Sequence, residues 1–181
     1  VKPPRADELA RAITIAIEGS RPLAVEIQAL VAPSGIGSPR RATTGIDVNR
    51  VLMLIAVLAR HAGLNLTGHD VYVNVAGGLR IEEPAADLAV AAALASSLRE
   101  RPVLSGTVLA GELSLSGRVR AASRADRRMA EALRLGFERL VTGPHRASGA
   151  APPSRDDHGT ILEAIDQREA LRLALVEPSN T

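Results

Sequence analysis

DVYVNVAGGLRIEEPAADLAVAAALASSL, residues 70–98, reads as a buried strand, a glycine turn, an acidic approach and an alanine-rich helix. Val71, Val73 and Val75 recur at the two-residue period of a strand. Gly77-Gly78 permits positive-φ backbone. Glu82 and Glu83 precede Pro84, which suits a first helical position, and acids there favour the helix dipole. The helix is predicted to end near Glu100, before Pro102, and its small side chains let other elements approach closely. A nucleophile at this strand-to-helix junction needs a hydroxyl or a thiol, and the residues there are Ala85 and Ala86.

Upstream, residues 13–17 and 23–31 alternate apolar and polar positions around a turn at 18–22, which predicts a hairpin. PSGIGSPRR (33–41) is a flexible basic loop. No Lys-Ser/Thr pair follows its glycines, so it is not a Walker A loop. Arg40 and Arg41 have no acid beside them in sequence and are candidate phosphate contacts. A short strand is expected over 42–46. Asp47 then suits the N-cap of a helix over Val48–Ala62, with Gly63 as its C-terminal stop and Arg60 and His61 in its last turn. That helix is apolar on nearly all sides and is expected to be central.

Downstream, 107–116 reads as one strand. Ser123-Arg-Ala-Asp126 resembles a capping box opening a helix to about Leu135, stopped by Gly136. Arg118, Arg120, Arg124, Arg127 and Arg128 form the densest basic segment, and Arg124 and Arg128, four apart, share a helix face. A strand is expected over 139–142, a Pro/Gly/Ser-rich loop over 143–159, a strand from 160 to 165, and a helix from Asp166 to about Val176. His145 and His158 lack partners at zinc-ligand spacing.

The 181 residues suffice for one domain with a real core. Residues 1–11 read as a tail, 12–177 as the domain and 178–181 as a second tail. The chain begins with Val, so it is expected to be a piece of something longer. The longest apolar run, 51–59, is too short to cross a bilayer, and no signal peptide is visible. No cysteine is present, which fits the cytosol and leaves no thiol nucleophile or Cys-based zinc site. Lys2 is the only lysine, so nearly all positive charge is arginine, which does not serve as an ordinary general base. Tyr72 and Phe137 are the whole aromatic inventory, a poor basis for stacking nucleobases. Early strands followed by alternating β and α elements predict a two-layer α/β (α+β) sandwich.

Five segments in order resemble the C-terminal domain of the bacterial RadA/Sms DNA-repair proteins: EGSRPLAVEIQALV (18–31), TTGIDVNR (43–50), VYVNVAGGLRIEEPAADLAVAAAL (71–94), GELSLSGRVR (111–120) and ADRRMAEALRLGF (125–137). That domain is similar to the proteolytic domain of Lon proteases, of the ribosomal-protein-S5-domain-2-like fold. Lon proteases use a Ser–Lys dyad, with the serine in a D-G-P-S-A-G segment and the lysine in a G-G-L-K-E-K segment. The matching residues run from Glu82 to Asp87 and from Ser123 to Arg128, so Ala85 falls at the serine and Asp126 at the lysine. A methyl group cannot attack a carbonyl, and a carboxylate is not the amine that activates serine.

The resemblance therefore implies a non-proteolytic domain with no cofactor or metal of its own. It also implies a homo-oligomer, a hexamer, that contacts single-stranded or branched DNA in the cytoplasm. ATP, Mg and Zn, and the ATPase activity that drives recombination and branch migration, belong by this resemblance to other parts of a full-length protein. Local charge density, not the resemblance, selects Arg40, Arg41, Arg118, Arg120, Arg124, Arg127 and Arg128 as DNA contacts. Two alternatives remain open: a purely structural assembly domain, and a hydrolase of non-standard chemistry drawing on Ser34, Ser114 or Ser116.

Overall fold

The computed structural model describes residues 8–145 and 159–177. The first expected tail, most of the 143–159 loop with His158, the last residues and Lys2 fall largely or wholly outside them. Strands β1 (Arg11–Glu18) and β2 (Arg21–Pro33) form an antiparallel hairpin whose Glu18↔Arg21 pair leaves a two-residue turn. Both run past the predicted ends because the ladder continues wherever a partner is in register. β3 (Arg41–Thr44) enters helix α1 (Val48–Ala62), which leads to β4 (His69–Val75). The first sheet has the order β1-β2-β4-β3, with β3 parallel to β4.

Helix α2 (Asp87–Arg99) follows a short 3-10 turn, Pro84–Ala86, and ends at Glu100 in the left-handed region with φ 51°. Every residue from Asp87 to Ser96 is buried. Its alanines let β2, β1, α1 and the C-terminal helix close in around it. This helix, not α1, is the centre of the molecule. α1 buries only Val51, Leu54, Val57, Leu58 and Ala62, and leaves Leu52 and Ala56 in solvent, so the expectation that it is central is corrected. Its caps are as read: Asp47 accepts from the Asn49 amide, and Gly63 takes φ 66°.

The expected strand over 107–116 divides into β5 (Thr107–Leu109) and β6 (Gly111–Leu113), which lie in different sheets. The chain bends between them because the Gly111 backbone presses on its neighbours. A Cβ there would fall 2.7 Å from Leu88 Cδ1 and 3.2 Å from the Arg120 carbonyl. β6 pairs with β7 (Val119–Ala121), while β5 joins β8 (Arg139–Thr142) and β9 (Thr160–Glu163) in a parallel sheet. Helix α3 (Ala125–Arg134) has no capping box: Arg124 precedes it in the left-handed region at φ 55° without a side-chain cap. Helix α4 (Gln167–Ala174) is capped by Asp166, and Glu169 accepts in turn from the Ile165 amide. It stops short of Val176 because Leu175 bridges Val103.

The result is an α+β sandwich with two apolar clusters. Val25, Ile27, Ala29, Val71, Val73 and Val75 of the first sheet join α2 in the larger one. On the opposite face, Ile15 and Ile13 of β1 meet Ala125, Met129 and Ala132 of α3, with Val108 and Leu140. Gly45 ties β3 to the approach of α2. Its φ is +81°, its carbonyl accepts from the Ile81 amide, and a Cβ would fall 2.4 Å from the Leu79 carbonyl. Gly45→Ala is expected to cost at least about 2 kcal/mol, since left-handed backbone alone costs about 1–2. Denaturant midpoints check this, and a loss under about 0.5 kcal/mol, the scale of a neutral surface change, contradicts it.

Candidate functional site

The 3-10 turn before α2 and the start of α3 meet in the smaller cluster, where Ala85 packs with Ala122 and Ala125. Ala85 is buried and Asp126 exposed. Between these segments lies Arg128, with none of its surface exposed. Its Nη1 donates to Glu83 Oε1 at 2.8 Å and Nη2 to Oε2 at 3.1 Å. Nη1 also donates to the Ile15 carbonyl, and Nε to the Ser123 carbonyl at 2.8 Å. Glu83 Oε1 in turn accepts from the Ile17 amide at 3.1 Å. Arg128 is therefore a cross-brace joining α3, β1 and the α2 approach. It offers no edge to a phosphate, and its assignment as a DNA contact is withdrawn. Glu83, read as a dipole acid, is its counter-charge.

A second ionic group lies on the other side of the 79–83 segment. Asp87 accepts from Arg50 through both oxygens, with Nε at 2.8 Å, and from the Leu113 amide at 2.9 Å. Burial pushes the Asp87 carboxyl above its ordinary range, against the opposing pull of Arg50 and the Leu113 amide. Hydrogen bonding to Asp87 holds Arg50 above its own ordinary value. The sequence reading missed this pair. Its signal was Asp87 itself, a lone charge in an otherwise apolar helical run.

The remaining arginines divide by place. Arg41 is half-buried, and its guanidinium donates to the carbonyls of Arg40, His69 and Leu66, which holds the turn rather than facing outward. Arg40 is exposed, but its amide donates to Asp70 at 2.7 Å, so an acid absent from its sequence neighbourhood stands beside it in space. Both lie at the β3 edge of the first sheet, while α3 packs at the β1 end, three strand spacings or roughly 14 Å away. The structure does not bring them together with the downstream arginines.

Arg118, Arg120, Arg124 and Arg127 are all exposed and follow one another along β7 and the start of α3. Arg127 donates to the Ser20 carbonyl at 2.7 Å. Arg120 stands opposite Glu112 in the β6–β7 register. None of the four has an ion-pair partner among the described residues. The candidate serines hold no acid–base partner here: Ser34 donates to the Gly68 carbonyl, and Ser114 and Ser116 bond each other. Among the described residues no helix is long and apolar enough to cross a membrane.

The fold is thus an α+β sandwich carrying an exposed arginine run beside a hydroxyl-free helix start. The chain belongs to the family described as subunit ChlI of Mg-chelatase, whose family model matches residues 37–145, more than half of its length. Among named relatives, the DNA repair protein RadA of Brucella abortus (strain 2308) is 56% identical over 126 residues, covering 70% of this chain and 27% of that protein. The DNA repair protein RadA of Bacillus subtilis (strain 168) is 43% identical over 163 residues, covering 90% of this chain and 35% of that protein. That of Rickettsia bellii (strain RML369-C) is 51% identical over 130 residues, covering 72% and 29%. The chain thus spans about a third of the length of these relatives.

Proposed function

We propose that this chain is a non-proteolytic Lon-like domain that assembles as a ring, a hexamer, and presents arginines to DNA during cytoplasmic DNA repair. The observation that carries the reading is the run Arg118, Arg120, Arg124 and Arg127, exposed and without ion-pair partners among the described residues. Arginine stays charged at any physiological pH and pairs well with phosphate. Each contact is weak and independent of base sequence, and a ring repeats the patch so that the contacts act together. The names of the relatives support the DNA-repair setting. Peptide cleavage is not part of the reading, because Ala85 and Asp126 occupy the dyad positions that the Lon resemblance assigns. ATP-driven recombination and branch migration are assigned to the rest of a longer protein, together with ATP, Mg and Zn.

A second reading, subunit contact without DNA, is favoured at one point. Leu115 is 72% exposed and Ile165 54% exposed, and both flank Arg118, as expected of a surface covered by a neighbouring protomer. One experiment separates the two. Arg124→Glu with Arg127→Glu is expected to weaken binding of a fluorescent single strand and to lower its log–log salt slope by about 1.5. A folded double variant with parental affinity and slope removes these residues from the interface. A fall in solution mass with unchanged DNA binding assigns them to the protomer contact instead.

A further inference from the structure

A separate pocket of about 250 Å³ is lined by Ala62, Arg99, Arg168 and Leu171, at the point where α1, α2 and α4 converge. No carboxylate lines it. Arg168 is fixed there, since its Nε donates to the His61 carbonyl at 2.6 Å, which leaves the outer edge of the guanidinium unclaimed. Arg99, in the last turn of α2, has no hydrogen-bond or ion-pair partner among the described residues. Arg101 stands close behind it, held by a bond from its Nε to the Val176 carbonyl at 2.5 Å. The carbonyls at the end of α2 account for some of this positive charge. Both side chains are exposed, and they stand on the rim of one open hollow with no carboxylate between them. α2 is thirteen residues long, so the pocket lies about 20 Å from the Ala85 end of that helix.

We infer that Arg99 and Arg168 form an anion site that takes a phosphate group, with Ala62 and Leu171 as its apolar floor. A planar guanidinium presents paired N–H donors that match phosphate oxygens, and two of them facing one cavity neutralise a dianion. Partial burial and repulsion from Arg101 pull Arg99 below its ordinary value. The phosphate has two sources of the same chemistry, a free phosphorylated ligand or the backbone of a nucleic acid. The site stands on its own geometry, independent of the arginine run at α3.

Titration of the 181-residue chain with inorganic pyrophosphate and, separately, with a single-stranded oligonucleotide tests the site, read by melting temperature and by anisotropy. Pyrophosphate is expected to raise the melting temperature saturably in the parent, and Arg99→Gln with Arg168→Gln to abolish the rise. Arg99→Gln alone is the second variant, because Arg99 has no bond whose loss would disturb folding, and it is expected to weaken saturation at least tenfold. If the oligonucleotide salt slope also falls by about 1–2 in the double variant, the backbone is the source; if only pyrophosphate binding falls, the ligand is a free phosphate ester. A pyrophosphate response that is absent in the parent, or unchanged in Arg99→Gln, overturns the site. Neither result depends on Arg124 or Arg127, so it is distinguishable from failure of the α3 interface.

Discussion

Glu83→Ala is expected to destabilise the chain by about 3–5 kcal/mol, the scale found when one partner of a buried ion pair is removed. The reason is asymmetry of burial. Arg128 is wholly enclosed, with its side chain 1% exposed, whereas the Glu83 side chain is 26% exposed. Deleting the carboxylate strands a cation that cannot reach water and frees the Ile17 amide. Arg128→Met leaves the opposite problem. Glu83, partly exposed, keeps its bond from the Ile17 amide and its access to water, and the Ile15 and Ser123 carbonyls lose a donor, at about 1–3 kcal/mol. The double variant is expected to fall near Arg128→Met alone, because a methionine in that space leaves no charge to strand. Denaturant unfolding of the four proteins in one cycle measures this. Equal losses from the two single variants, or a loss under about 1 kcal/mol for Glu83→Ala, would show that the cross-brace does not hold α3 to the approach of α2.

The second large effect is at Asp87. Asp87→Ala leaves the Leu113 amide unpaired in the core and is expected to cost about 2–3 kcal/mol. Asp87→Asn keeps an acceptor and behaves differently with pH. The folded carboxyl lies above its ordinary value because burial outweighs Arg50 and the Leu113 amide. A group raised in this way adds stability that is full below its unfolded value and is lost as pH rises through its folded value. The parent should therefore lose stability relative to Asp87→Asn as pH climbs from below about 4, the ordinary aspartate value, toward neutrality. Urea midpoints of the two proteins at matched pH check the sign. A parent that gains on the asparagine variant as pH rises would mean that the Arg50 pair dominates burial.

What the sequence disclosed was local. The caps of α1, Asp47 and Gly63, are read from neighbours within one turn, and they stand where expected. The alanine run of α2 announces close approach without naming what approaches, and the structure supplies β1, β2, α1 and α4. What stayed hidden was long-range. Arg128 sits in the densest basic run and reads as surface, while its partner is 45 residues upstream. That pairing also explains the missing capping box. The Arg128 side chain folds back onto the Ser123 carbonyl, and Arg124 takes left-handed backbone to let α3 begin there. Arg99 and Arg168 lie on different helices with nothing in either segment to connect them. Arg40 shows the converse: no acid neighbours it along the chain, and Asp70 meets it across the fold.

On the proposed function, this domain meets DNA through charge on the surface begun by β7 and α3. The most direct test is the affinity of the 181-residue chain for a fluorescent single strand from about 50 to about 200 mM salt. Contacts from Arg118, Arg120, Arg124 and Arg127 predict a log–log slope of about −3 per bound chain, steeper if protomers bind together. Absence of binding at the lowest salt, or binding with a slope near zero, would contradict the claim.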